Sequence, residues 1–181
     1  EEKMAVVGSS TRELIFDNAE VPAQNLLSDE GTGFKIVMAE FMKSRLLVAS
    51  MALGIARGGF DEAVRYAKER TQFEKTISEF QGIQFMIADM AMNIEVAKRM
   101  VYTTSEYIGH GKAGKELAPF AAMSKCFASD VAMKVTTDAV QILGGYGIMK
   151  EYPVERMMRD AKVTQIIEGT NQIQRIIIAR D

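Results

Sequence analysis

The sequence predicts an all-α protein, an antiparallel up-and-down helix bundle with a short β segment at its N-terminus. Three observations predict it. Ile83, Ile87, Met90, Ile94, Ala97 and Val101 recur at alternating steps of 4 and 3 residues, the spacing that places one apolar stripe on a bundle helix. From Gly33 the texture changes, and residues 34–70 are rich in apolar side chains without a proline. Glycine clusters at 109–114 and 144–147 interrupt the pattern, leaving brief links between antiparallel neighbours.

Each element follows in order. Met4 to Val7 and Arg12 to Asp17 read as two short strands, with Leu14 and Phe16 on one face and turn residues Gly8-Ser9-Ser10 between them. Val21-Pro22 and Asn25 read as an extended connection. Two short strands are marginal alone. Residues 1–31 are therefore expected to be the remnant of a larger β-domain and 32–181 the helical domain, with strand nowhere beyond about residue 28. The first helix carries Phe34, Val37, Met38, Phe41, Leu46, Val48 and Phe60. Its Gly54 and Gly58, one turn apart, offer a place for another helix to approach. Thr71 to Ser78 breaks the pattern, and the 4-3 seam then runs to Gly109-His110-Gly111. Pro119 suits the first turn of a third helix, continued by Phe120, Met123, Phe127, Val131 and Val135 to about Leu143. Gly144-Gly145-Tyr146-Gly147 stops it. Pro153 opens a short helix through Arg159, and a last helix runs to near Arg180.

Composition narrows the function classes. A net charge of −2 offers no polybasic surface for nucleic acid or an anionic membrane. Cys126 is the sole cysteine, which excludes an internal disulfide and suits a reducing compartment. No apolar run reaches the roughly 20 residues of a membrane span. The chain begins Glu1-Glu2-Lys3, without an initiator Met or an apolar leader, and reads as a piece of a longer polypeptide in the cytoplasm, or in the mitochondrial matrix of a eukaryote.

The stretch Ala161 to Arg175 holds the strongest candidate chemistry. An apolar, β-branched run from Val163 to Ile167 leads into Glu168-Gly169-Thr170, and a helical pattern with Ile173, Ile176 and Ile177 follows. Thr170 suits an N-cap, and Gly169 permits a sharp bend or a close approach. Glu168 thus stands on a loop at the mouth of a helix, beside apolar residues, where the helix end favours its carboxylate and desolvation opposes it. A solvated Glu completing a helix start explains the same letters. Elsewhere, His110 reads as an exposed loop residue. One His and one Cys leave no soft-metal cluster and no nucleophile–histidine set. Gly144-Gly145-Tyr146-Gly147 follows a helix and so is no strand-borne dinucleotide fingerprint; it is a C-cap or a backbone surface for a phosphate. Arg70-Thr71-Gln72-Phe73 joins a cation, an amide and an aromatic at a helix end, where a cation also suits the macrodipole.

Together these stretches resemble the acyl-CoA dehydrogenase family, specifically its C-terminal helical domain and the end of its middle β-domain. Gly8-Ser9-Ser10-Thr11 with Val21-Pro22 and Asn25-Leu26-Leu27 is similar to the exit from the β-domain. Arg70-Thr71-Gln72-Phe73 with Phe80-Gln81 and Gln84 resembles the first signature of the helical domain. Gln141 to Gly147, then Glu151 to Arg156 and Arg159-Asp160, resembles the second. Ile167-Glu168-Gly169-Thr170-Asn171 resembles the active-site loop. Four motifs in family order cover essentially the whole chain.

The resemblance implies FAD-dependent α,β-dehydrogenation of an acyl-CoA, with an electron-transfer flavoprotein as the oxidant of the flavin. It implies Glu168 as the base for the α-proton, Gly169 beside the thioester and Arg45 near the acyl-CoA. It implies Thr170, Asn171 and Gln172 facing FAD, and Arg70, Gln72, Phe73, Gln81, Gln141, Gly144 and Gly145 gripping the FAD of a neighbouring subunit in a dimer or tetramer. Met42 stands where many members have Asp, and Glu74 and Thr76 replace the more usual Gly and Pro. With the other domains absent, the piece alone is expected to hold FAD weakly and to be inactive. A non-catalytic oligomerisation bundle derived from the family, or an acyl-CoA oxidase, fits the same letters.

Overall fold

A computed structural model describes residues 1–180. Five α-helices form it: α1 Gly33–Glu69, α2 Gln81–Gly109, α3 Ala118–Leu143, α4 Val154–Thr164 and α5 Asn171–Arg180. The helix α3 is central, with α1, α2, α4 and α5 all packed on it. The 4-3 seam of α2 faces this core through Met90, Ile94, Ala97 and Val101, while Ile83 and Ile87 close its edge.

Small residues set the spacing of α1 against α3. Ala49, Ala52, Ala56, Ala63 and Ala67 are fully buried along α1. Between them Gly59, not Gly54 or Gly58, makes the close approach: a Cβ there would stand 3.2 Å from Thr136 Cγ2 of α3. Gly58 meets the end of the Met157 side chain on α4, and Gly54 faces open space. The buried face of α3 is likewise Ala121, Ala122, Ala128, Ala132 and Ala139 with Val131 and Val135. Phe120, Met123 and Phe127, which mark this helix in the sequence pattern, are half-buried at the flank. At the start of α1 Phe34 is 78% exposed, and Val37, Met38 and Phe41 stand outside the bundle.

The strands do not fall where the sequence pattern placed them. Residues 4–7 and 12–17 form no strand, because no described strand edge lies beside them to complete a ladder. Instead β1 (Thr71–Gln72) and β2 (Lys75–Thr76) pair antiparallel, Thr71 with Thr76 and Gln72 with Lys75. Phe73 and Glu74 turn this hairpin with φ of +53° and +64°, the left-handed pair that a two-residue hairpin needs. Thr76 and Glu79 then form a capping box ahead of α2. The N-terminal segment is tied down by side chains. Ala5 is buried, the Val6 N–H donates to Asp160 Oδ1 at 2.7 Å, and Arg159 donates to the Met4 carbonyl. The short helix after Pro153 runs beyond Arg159 to Thr164. Among the described residues no helix is long and apolar enough to cross a membrane.

Candidate functional site

Two groups of candidate residues emerge, at opposite ends of α1. The first surrounds the bend between α4 and α5. Val163 and Thr164 finish α4, and the chain then turns through residues 165–169, with the Asn171 N–H donating to the Gln165 carbonyl at 3.0 Å. Glu168 sits in this bend at φ +54°, followed by Gly169 at +88°. A side chain tolerates that region poorly, so the surrounding bonds must hold it. Thr170 does cap α5, its Oγ1 accepting the Ile173 N–H at 3.4 Å.

The Glu168 carboxylate is half-buried, and Oε2 accepts the Ser44 hydroxyl of α1 at 2.6 Å. Next to Ser44 is Arg45, 5% exposed, whose Nε is buried without a hydrogen-bond partner among the described residues. Burial pushes the Arg45 guanidinium down from its ordinary value, and the charge of Glu168 opposes that shift. The Glu168 N–H finds no acceptor among the described residues either.

Behind the bend lies a polar core that sequence reasoning missed. Lys125 of α3 is fully buried, and its Nζ donates to the Gly169 carbonyl and to Asn171 Oδ1, each at 2.9 Å. Burial pushes this ammonium down to about 8. Gln174 Nε2 donates to the same Gly169 carbonyl at 2.9 Å. Asn171 Nδ2 donates to Asp130 Oδ1 at 2.8 Å, and Arg175 donates to Asp130 Oδ2 at 2.6 Å. Asn171, expected to face a cofactor, is thus 3% exposed with both its side chain and its backbone N–H committed to the fold. Thr170 and Gln172 remain at the surface, lining a depression of about 520 Å³ with Arg175 and Lys162. The signal for Lys125 was in the letters. It falls on the same helical stripe as Ala121, Ala128 and Ala132, an apolar face where an unpaired surface lysine does not belong.

The second group gathers at the other end of α1. Arg70, Gln72, Gly144 and Gly145 line one cavity of about 520 Å³, together with Tyr66 and Tyr146. Gly144 has φ +59°, and a Cβ at Gly144 or Gly145 would meet nothing within 4 Å, so bare backbone faces the cavity. Gly147 is different: a Cβ there would lie 2.4 Å from the Val140 carbonyl oxygen. The Arg70 guanidinium lies 5.7 Å from the Tyr146 ring centre and pairs with no carboxylate among the described residues. Phe73 is 86% exposed on the hairpin tip, and Gln81 and Gln141 lie exposed outside the cavity wall. At a rise of about 1.5 Å per residue, α1 holds Arg45 and Arg70 roughly 38 Å apart.

Residues 31–181 match the family model of the acyl-CoA dehydrogenase C-terminal domain. The chain belongs to the acyl-CoA dehydrogenase family. It is 55% identical to an acyl-CoA dehydrogenase of Bacillus subtilis, over 99% of this chain and 47% of that protein. Butyryl-CoA dehydrogenase from Megasphaera elsdenii superposes with a TM-score of 0.96 at 49% identity, over 99% of this chain and 46% of that one. A chain in a structure of the electron transferring flavoprotein of Acidaminococcus fermentans does so with a TM-score of 0.96 at 56% identity, over 99% and 47%. The chain therefore spans about half the length of the acyl-CoA dehydrogenases it matches.

Proposed function

We propose that this chain is the catalytic C-terminal domain of a FAD-dependent acyl-CoA dehydrogenase, with Glu168 as its general base. The observation that carries this reading is Glu168 itself. Its carboxylate is clasped by Ser44 on a bend of left-handed backbone and stands next to a buried arginine with a free donor. An α-C–H is a weak acid, so its removal needs a positioned base and donors for the charge that develops on the thioester oxygen. The carboxylate would take the α-proton. The free N–H of Glu168 is a donor for that oxygen, and Arg45 Nε is a donor for the acyl-CoA. The residues also fit a dinucleotide. Bare glycine backbone and an unpaired arginine suit phosphates at one end of α1, and the cap of α5 with Thr170 and Gln172 suits them at the other. Bound flavin would supply the acceptor for the β-hydrogen.

The separation of the two clusters supports an oligomer, in which Arg70, Gln72, Gly144 and Gly145 serve a neighbour's FAD while Glu168 serves its own subunit. Phe73, Gln81 and Gln141 project from the same end and would join that contact. An electron-transfer flavoprotein is the proposed oxidant, a reading supported by the similar chain in the Acidaminococcus structure. The test is Glu168→Gln in the full-length protein. We expect folding and acyl-CoA binding to persist while substrate-driven bleaching of the flavin slows by about 10²–10⁴-fold or more. Bleaching at near the parent rate would overturn the assignment.

A further inference from the structure

The fully buried Lys125 has no role in the chemistry set out above, yet its hydrogen bonds are unusual for a buried lysine. Neither goes to a carboxylate. Both go to residues just after Glu168: the carbonyl of Gly169 and the side chain of Asn171, each at 2.9 Å. An ammonium buried without a paired anion is costly, so a fold that keeps one there uses its strong, charge-assisted donors. The object they hold is the strained part of the chain, φ +54° at Glu168 and +88° at Gly169.

We propose that Lys125 is a positioning residue for Glu168, its ammonium clasping the bend from inside the bundle and so fixing where the carboxylate points. This rests on the reading of Glu168 as the base. The geometry gives the reason. Lys125 and Gln174 both donate to the Gly169 carbonyl, which uses both of its lone pairs. Asn171 passes the restraint on to Asp130, and Asp130 to Arg175 of α5. The Gly169–Thr170 peptide unit, one residue beyond Glu168, is thereby anchored to α3 and α5, while Ser44 of α1 holds the carboxylate. The titratable and charged groups around Lys125 are Arg45 from α1, Glu168 from the bend, and Asp130 and the Cys126 thiol, which burial pushes up, from α3, with Arg175 of α5 bound to Asp130. Burial, with Arg45 acting in the same direction, outweighs the acidic groups and lowers the ammonium to about 8 against an ordinary 10.5, so opening the bend to water takes up a proton above about pH 8 and becomes less favourable as pH rises.

The experiment compares the full-length parent, Lys125→Met, Lys125→Gln and Glu168→Gln. Amide hydrogen exchange of the bend is read first. In Lys125→Met we expect the hydrogen-bonded amides of the bend, those of Ile166, Ile167, Asn171 and Gln174, to exchange about tenfold faster or more, with α1 and α2 unchanged, and Lys125→Gln, which keeps a donor, to fall between. In the parent, protection of the bend, corrected for intrinsic base catalysis, should rise as pH passes upward through about 8. Lys125→Met should show no such step. Flavin bleaching is read second. Its rate should drop about 10- to 100-fold in Lys125→Met, the usual cost of a misplaced catalytic group, with the acyl-CoA dissociation constant changed less than about threefold. A folded Lys125→Met protein with parent-like exchange at the bend overturns the proposal. So does a parent whose bend protection ignores pH, a measurement that needs no variant to fold. A Glu168→Gln enzyme that still bleaches overturns the base assignment instead, and leaves the exchange result standing.

Discussion

Ser44 Oγ lies 2.6 Å from Glu168 Oε2, joining the first helix to the last bend across 124 residues of sequence. The bond is charge-assisted and half-buried, so it contributes more than a surface contact. Ser44→Ala should cost about 1 kcal/mol of stability. Glu168→Gln should cost less, because the amide oxygen still accepts. A double-mutant cycle by urea denaturation of the full-length protein checks this: the two losses should be non-additive by about 0.5 kcal/mol or more.

The hairpin after α1 carries a Glu at φ +64°. Glycine adopts that backbone at no cost. Glu74→Gly should therefore raise stability, by roughly 0.5–1 kcal/mol. Thermal melting checks it, and a lower melting temperature would count against the turn geometry.

Neighbouring glycines of one run should respond in opposite ways. A methyl group at Gly147 meets the Val140 carbonyl, and relief requires backbone movement, so Gly147→Ala should cost about 1–3 kcal/mol. Gly145→Ala meets nothing and should leave melting nearly unchanged. It projects into the cavity beside Arg70 instead. Isothermal titration of the full-length apoprotein with FAD should show weaker binding for Gly145→Ala at near-parent stability.

Lys125 gives stability a pH dependence of definite sign. Its folded value is about 8, against an ordinary value of 10.5. Below about pH 8 both states carry the proton and the burial penalty is constant. Between about 8 and 10.5 the unfolded chain binds more proton, so stability rises with pH through this Lys125 contribution. The difference in urea midpoint between parent and Lys125→Met should thus shift in the parent's favour from pH 7.5 to pH 10, on the order of one unit of pKa energy or more, about 1.4 kcal/mol.

The long helices and the α2 seam were legible because apolar spacing reports a helix that buries one stripe. The bend at Glu168 and Gly169 and the Thr170 cap were legible because a glycine and a capping threonine stand in succession before a helical pattern. Periodicity failed where burial depends on smallness. It ranked Phe120 and Phe127 above Ala121 and Ala128, and Gly54 above Gly59, although the close helix contact needs the smaller atoms. It also read lysine as surface, so the Lys125 clasp and its continuation to Asp130 stayed hidden until two helices and a bend were brought together. Strand texture before residue 28 could not say whether a partner edge was present, and the hairpin at Phe73–Glu74 lacked the glycine that usually marks one.

The length of α1 has a consequence for what this chain can tolerate in evolution. The helix is a ruler with a phase as well as a length: Ser44 and Arg45 at one end and Arg70 at the other are set by the same 37-residue rod. Inserting or deleting one residue at its middle would shift one end by about 1.5 Å and rotate it by about 100° relative to the other. Either the base loses its serine or the far cavity loses its arginine. Length variation in α1 is therefore expected only in near-whole turns, or beyond the two functional ends, while the links around Gly111 and Lys150 remain free to vary.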